Sequence, residues 1–237
     1  MLSTLTRRGV PVSTMGLISW LRSKLGMGEF AVEQRKLLTK WEYAQANDWA
    51  IFDADPFKDE LISAIRLHDA SPEEGFVRLL DFANRGSLYS THYVAWSYAV
   101  GTGARKDRDE AQAWYRRAYE GGSDRGLLEY GAYLVSGGQN YEAEKVYEAG
   151  WRRGFVPAVY RLIRLRLRPT LPLAERLAWK PSLEWTVEAG HPAARFLLSK
   201  YLVRGWFGLS GIPRGLKLVL ALLAAILRGD EDRPIMA

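Results

Sequence analysis

The stretch that decides the fold runs from Tyr98 to Gly122 and reads YAVGTGARKDRDEAQAWYRRAYEGG. An aromatic residue is followed by Gly101 and Gly103, which end one helical segment. Asp107 or Asp109 can cap the next segment, in which alanines and aromatic residues recur at helical spacing. Gly122 closes that segment at a position suited to a left-handed C-cap. The stretch therefore predicts a helix, a tight turn, a second helix and a glycine stop.

Glycine stops of the same kind recur along the chain at a regular period. They are separated by 36, 32, 36 and 39 residues and stand at Gly86, Gly122, Gly154, Gly190 and Gly229. Fifteen residues after the first four stands a helix breaker: Gly101, Gly137, Pro169 and Gly205. Four residues before the stops the side chain is mostly small, as at Ala118 and Gly150, and small residues allow stacked helices to approach closely. A period of this length predicts one helical hairpin per repeat.

Residues 87–122 closely resemble the Sel-one-like repeat (SLR), a relative of the tetratricopeptide repeat, whose pattern is Tyr-x-x-Gly-x-Gly, an Asp-led turn and Ala-x-x-Trp-Tyr-x-x-Ala-x-x-Gly. The match is weaker over residues 123–154, where Val146 replaces the tryptophan, and degenerate over residues 155–190. The resemblance implies an all-α fold, a right-handed α-solenoid of about five helical hairpins. It also implies the scaffold or adaptor role that such repeats have in bacteria, with no catalytic site of their own.

The repeats divide the chain into four predicted parts. These are a basic amphipathic N-terminal arm (1–28), an N-terminal capping helix (29–55), the SLR solenoid (56–229) and an acidic C-terminal tail (230–237). We expect the capping part to be one long helix from Glu29 to about Trp49. We also expect Pro181 to break the second helix of its hairpin in two, because proline removes a helical hydrogen bond.

The composition of the 237 residues narrows the possible functions. Cysteine is absent, which excludes disulfide scaffolds, zinc ribbons and thiol nucleophiles. The net charge of +6 is concentrated in two blocks. Residues 1–28 contain four basic residues and no acidic one, and residues 150–180 contain eight basic residues and one acidic one. The rest of the chain is therefore acidic overall, and the two basic blocks are the places to look for a partner.

Part of the second basic block forms a candidate site for a protein partner. The basic residues of this site stand 7, 10 or 14 residues after a glycine stop. Two aromatic residues stand at similar distances after earlier glycine stops, on the first helices of the preceding hairpins. The candidate residues are Arg161, Arg164, Arg168, Lys200, Arg204, Trp96 and Tyr133. Spacings of three and four place cations on one helix face. The resemblance implies that the first helix of each hairpin lines the concave side, so we expect a basic and aromatic groove that binds an acidic peptide or helix. A solvated basic face is the alternative.

The N-terminal arm predicts a short amphipathic helix from about Met15. Its candidate membrane-contact residues are Leu17, Ile18, Trp20, Leu21, Arg22 and Lys24. Such a helix can lie on an anionic membrane surface, which would make the protein a peripheral membrane adaptor, or dock on its own domain. The apolar run from Leu216 to Leu227 is too short to span a bilayer. Because no repeat follows it, this last helix predicts either a dimer contact or a contact with the arm.

Several other classes of function find no support in the residues. The three histidines, His68, His92 and His191, have no partner at helical spacing, so we expect no metal and no cofactor. No nucleophile and base are arranged for catalysis, which predicts a protein that is not an enzyme. Binding of nucleic acid by the arginine-rich block remains an alternative, although no recognition motif accompanies the charge. We expect a cytoplasmic location, with the inner membrane surface as a place of peripheral attachment.

Overall fold

The computed structural model describes residue 36 and residues 38–227, and within them the backbone forms helices and no strand. The helices are α1 (38–44), α2 (Asp48–Asp53), α3 (Lys58–Ala70), α4 (Pro72–Asn84), α5 (Leu88–Val100), α6 (Arg108–Glu120), α7 (Asp124–Ser136), α8 (Asn140–Arg152), α9 (Val156–Arg166), α10 (Leu173–Glu188), α11 (Ala194–Val203) and α12 (Ile212–Leu227). From α3 onward each helix packs on the next, which gives five tandem hairpins. The all-α solenoid predicted from the repeats is therefore confirmed.

The glycine stops set the register of the hairpins. Each follows the second helix of a hairpin and has a positive φ, at Gly86 (104°), Gly122 (93°), Gly154 (73°) and Gly190 (80°). A side chain at such an angle would be strained, so these are positions that favour glycine. The fifth stop, Gly229, lies outside the described residues. At the start of α6, Asp107 Oδ1 accepts the backbone N–H groups of residues 109 and 110, as predicted for its cap.

Small residues allow successive hairpins to approach closely. A Cβ built on Gly126 of α7 would lie 2.7 Å from the Cβ of Ala118 on α6. One built on Gly150 of α8 would overlap the Cβ of Ala158 on α9. Each contact joins the second helix of one hairpin to the first helix of the next. Large residues such as Leu127 fill the buried space around these close approaches.

The expected break of α10 at Pro181 is wrong. The helix continues from Leu173 to Glu188 with the proline inside it. Proline has no N–H, so the carbonyl of Leu177, four residues earlier, loses its helical hydrogen bond. Both Pro181 and Leu177 are exposed. Water can satisfy an exposed carbonyl, so the cost of the proline is lower there than in a buried helix.

The long N-terminal helix predicted through Trp49 is also not observed, because the chain turns at residues 45–47 between α1 and α2. Asn47 stands at this turn and binds α7 through both ends of its amide. Its Nδ2 donates to the carbonyl of Gly122 over 3.0 Å, and its Oδ1 accepts the N–H of Asp124 over 2.9 Å. These bonds to a distant helix hold the chain in a bend that the local pattern of residues 29–55 does not reveal.

Candidate protein-interaction face

Residues 38–53, which we call the strap, lie across the first helices of the later hairpins instead of forming another hairpin. We call the surface of those first helices, α5, α7, α9 and α11, the A-helix face. Along the strap the contacts pass from the last hairpins back to the earlier ones: Leu38 packs with residues of α9 and α11, Trp41 with His191, Glu42 with Arg161, Tyr43 with Glu129, and Phe52 with Tyr89. The strap therefore links four hairpins that a simple solenoid would join only through neighbours.

A buried carboxylate lies at the centre of the strap. Glu42 is 0% exposed, and its two carboxylate oxygens accept hydrogen bonds from Arg161, from Nε over 3.1 Å and from Nη2 over 2.5 Å. Burial acts to raise the pKa of Glu42, but His191 and Arg161 together outweigh it and hold the pKa below its usual value. Burial lowers the pKa of His191, with Glu42 opposing it. At neutral pH the Glu42 carboxylate is therefore ionised and binds the guanidinium of Arg161, and the imidazole of His191 beside it is neutral.

A second polar group fixes the strap to α7. Tyr43 donates a hydrogen bond to the carboxylate of Glu129, and the guanidinium of Arg125 stands 4.5 Å from the centre of the tyrosine ring. Burial, followed by the negative charge of Glu129, raises the pKa of Tyr43. Arg125 also lies 3.7 Å from Asp48 at the start of α2. An aromatic helix with a carboxylate therefore already occupies part of the A-helix face.

The structure gives Arg161 an intramolecular partner that the sequence analysis did not foresee. Arg161 was expected to face a partner protein, yet its side chain is only 28% exposed and is engaged by Glu42. Four of the eight basic residues in the second basic block are paired with carboxylates. Besides Arg161, Arg153 pairs with Asp124, Arg166 with Glu144 and Glu148, and Lys180 with Glu184. The charge excess of residues 150–180 is therefore a poor guide to the charge available at the surface.

Beyond the strap, the A-helix face stays open between α7 and α9. A cleft of about 330 Å³ is lined there by Ala132, Val135, Ser136, Tyr147, Arg161, Arg164 and Leu165. Arg164 is exposed, and within the described residues no carboxylate pairs with it. Its guanidinium lies 5.8 Å from the ring centre of Tyr160. The cleft thus combines apolar walls with one cation that is not bound by the strap.

The remaining cations of the candidate site gather only in part around this cleft. Burial raises the pKa of Tyr201 on α11, and the charges of Arg164 and Arg204 both oppose that rise, so both guanidinium groups lie near this phenol. Lys200 lies half-buried on the same helix. Arg168 was expected on the face of α9 but lies beyond its end, because Leu167 is already extended and Pro169 disfavours helix at the preceding residue.

The two aromatic residues of the candidate site belong more to the hairpins than to the cleft. The ring of Trp96 contacts His68 at 5.9 Å between centres and remains 39% exposed. Tyr133 packs against Tyr115 at 5.5 Å and is half-buried. Trp96 can therefore still meet a partner at the far end of the A-helix face, whereas Tyr133 has most of its ring committed to the fold.

The residues that sequence analysis missed are the carboxylates Glu42 and Glu129. The available signal was the run Trp41, Glu42 and Tyr43, in which an acid stands between two aromatic residues. A charged residue in such a setting is a candidate for a buried pair. The six membrane-contact candidates of the arm lie outside the described residues.

The described part of the chain shows no further chemistry at this face. Within it, no three or more metal-ligating side chains come together in a group that could hold an ion. Among the described helices, none combines the length and the apolar character needed to cross a bilayer.

Buried His92 makes the stability of the solenoid sensitive to acid. Its Nε2 lies 2.5 Å from the Oγ of Ser123, the cap of α7, and burial lowers its pKa to about 3. Because the unfolded chain protonates this histidine near pH 6.5 and the folded chain does not, the free energy of unfolding falls as the pH drops below about 6.5. We expect His92 to account for a loss of about 2 kcal/mol between pH 6.5 and pH 5.

Urea unfolding at both pH values measures this loss. In the variant His92→Gln, whose amide can still bond Ser123, the loss should be smaller by that amount. His191 acts in the same direction and should maintain part of the pH dependence. Equal losses in the wild type and in the variant would contradict the assignment.

Comparison with known proteins agrees with the fold. No family model and no curated protein matches the chain. Among solved structures, the chain is similar to a Sel1 repeat protein from Oxalobacter formigenes, with 18% sequence identity and a TM-score of 0.57. The similarity covers 78% of this chain and 83% of that one. The chain therefore has an SLR-like fold, a solenoid of helical hairpins, as its repeat pattern predicts.

Proposed function

We propose that the protein is a non-enzymatic scaffold that binds an acidic helical segment of another protein on the open part of the A-helix face. The contact between Glu42 and Arg161 carries the proposal. It is an example, within one molecule, of this face accepting a carboxylate from an aromatic helix. Arg164 stands one helical turn further along α9 and presents the same group to the open cleft.

The chemistry of the cleft favours a particular kind of partner. An exposed guanidinium can bind a carboxylate through two hydrogen bonds, and the apolar walls formed by Val135 and Leu165 can take one aliphatic side chain. Arg164 and Arg204 both lie near Tyr201, since the charge of each acts on this phenol, and two neighbouring cations suit a partner with a second acid. The pairing of Arg153, Arg161 and Arg166 with carboxylates supports a protein partner over nucleic acid, because a phosphate backbone requires many unpaired cations.

A charge reversal at the cleft tests this proposal. In the variant Arg164→Glu with Arg204→Glu, we expect a labelled helical peptide that has two glutamates around one leucine to bind roughly 10-fold more weakly, since each exposed ion pair contributes up to about 1 kcal/mol. Fluorescence anisotropy gives the dissociation constant. Higher salt should also weaken the binding of the wild type.

The control reverses the same number of charges elsewhere. Arg78 on α4 and Arg105 in the loop after α5 are both exposed, and Arg78→Glu with Arg105→Glu should leave the peptide affinity unchanged. Circular dichroism should show equal melting temperatures for the two double variants. If both bind the peptide equally well, the cleft is not the site.

A further inference from the structure

The last helix, α12, exposes a row of leucines on the side turned away from the solenoid. Leu216 and Leu220, four residues apart, are 50% and 66% exposed, and Ala224 continues the row. On the opposite side, Leu222 is buried and Leu218 packs against the core of the last hairpins. Within the described residues no helix covers the exposed row. Repeat arrays usually end in a capping element, and this row is the surface that such an element would cover.

The described chain begins close to this same end of the molecule. Leu38, at the start of α1, packs against the hydrophobic cluster that also receives Leu218 of α12. The preceding chain therefore leaves the structure beside the last hairpin. The 13 residues from Leu25 to Leu38 can span about 45 Å at most when fully extended. The arm is thus tethered within reach of the exposed leucines.

The sequence of the arm fits this surface. Leu17, Leu21 and Leu25 recur every four residues, which puts them on one face of the predicted helix, with Ile18 beside them. We propose that the apolar face of residues 15–25 packs against Leu216 and Leu220 and caps the solenoid. One row of leucines at spacing four then meets another, which is the usual way in which two helices interlock. A short tether raises the effective concentration of the arm to the millimolar range, so even a weak contact is occupied.

An anionic membrane is the other apolar surface that could cover this row. After α12 the sequence places Asp230, Glu231 and Asp232 between Arg228 and Arg233, and the net charge of −1 over these residues gives anionic lipid no electrostatic attraction. On α12 itself, Arg214 is already paired with Glu184 over 2.6 Å. These charges favour the arm of the same chain as the occupant.

Disulfide trapping in the full chain tests the contact, because the protein has no cysteine of its own. Cysteine is placed at Leu17 or Leu21 and at Leu216 or Leu220, in all four pairings. At least one pairing should form an intramolecular bond about tenfold faster than a control pairing of Leu21→Cys with Val77→Cys on α4, where Val77 is 65% exposed. Mass spectrometry of the monomer band identifies the bond. Bonds mainly between two chains, or rates equal to the control, would overturn the proposal.

Tryptic cleavage provides a second measurement without cysteine. A docked arm protects the sites after Arg22 and Lys24, since cleavage requires local release. In the full-length variant Leu216→Glu with Leu220→Glu, we expect cleavage there to accelerate about tenfold, in line with loss of a protected state. Cleavage after Arg7 and Arg8, before the predicted helix, serves as the reference and should stay constant. Unchanged cleavage after Arg22 and Lys24 would contradict the docking.

Vesicles distinguish the lipid alternative. The wild type and the same double variant are sedimented with vesicles of phosphatidylcholine and phosphatidylserine. If the arm covers the leucine row, substituting Leu216 and Leu220 should not reduce binding to these vesicles. A wild type that sediments with the vesicles and a variant that does not would show that the row binds lipid, and would overturn the proposal.

Discussion

Replacing Glu42 with alanine is expected to destabilise the protein by about 3–5 kcal/mol, the usual cost of removing one partner of a buried ion pair. The substitution leaves Arg161, 72% of whose side chain is out of contact with solvent, without its carboxylate. It also leaves an opening beside His191, whose Nε2 lies 3.6 Å from Oε1 of Glu42 in the wild type. Urea unfolding at neutral pH measures the change in the free energy of unfolding.

The alanine control for this experiment is an exposed glutamate. Glu188 at the end of α10 is exposed and has no ion pair with any residue of 38–227, so Glu188→Ala should change the free energy of unfolding by less than about 0.5 kcal/mol. A double-mutant cycle with Arg161→Ala isolates the pair, because the double variant should lose much less than the sum of the two single variants. If Glu42→Ala resembles Glu188→Ala, the strap does not hold the position described.

Replacing Gly150 with alanine is expected to destabilise the protein by about 2 kcal/mol, because the new methyl group would overlap the Cβ of Ala158 on the next helix. Both residues are buried where α8 and α9 pack, and the next nearest atoms belong to Leu127, whose Cδ1 would lie 3.1 Å away. The end of the Leu127 side chain can move to another rotamer, but the Cβ of Ala158 is bonded directly to the backbone and cannot. The helices must therefore separate slightly, and chemical denaturation measures the cost.

Exchanging the two small residues provides the control. In Gly150→Ala with Ala158→Gly, the volume of the contact is restored, and we expect most of the lost stability to return. Gly137→Ala tests for a general effect of substituting glycine, since its φ is negative and the nearest atoms to a new Cβ are 3.5 Å away. It should alter stability by less than about 1 kcal/mol. A failure of the double exchange to recover stability would mean that the helices do not meet through these two residues.

The strap changes how this solenoid is expected to behave as a whole. In repeat arrays the stability is close to a sum over neighbouring units. Here Glu42 and Arg161 are separated by 119 residues in the chain, and the strap touches α5, α7 and α9 together. Long-range contacts of this kind tie the unfolding of several hairpins to the release of one segment. The same segment also fixes how much of the A-helix face remains open to a partner.

The hairpins and their register could be predicted from the sequence because the signals are local and repeated. A glycine such as Gly122 ends its helix through its own backbone conformation. Small residues such as Gly150 recur at a fixed distance from those stops, so packing between neighbours follows from the same period. Two of the predictions that failed, at Pro181 and Arg168, concern residues 155–190, where the repeat pattern is degenerate. The third, the long helix through Trp49, failed because Asn47 bonds to residues far along the chain.

The sequence by itself determined that this protein is a solenoid of about five helical hairpins with its basic charge in two blocks. Only the tertiary structure decided which of those charges are exposed and can bind a partner. The pattern around Arg161 shows that the residue faces one side of α9, but not what meets that side. Its partner is Glu42 on a segment that returns over the A-helix face, whereas Arg164 stays exposed beside the cleft. Spacing along a chain reports which residues share a surface, while the partner of a buried charge depends on how distant segments come together.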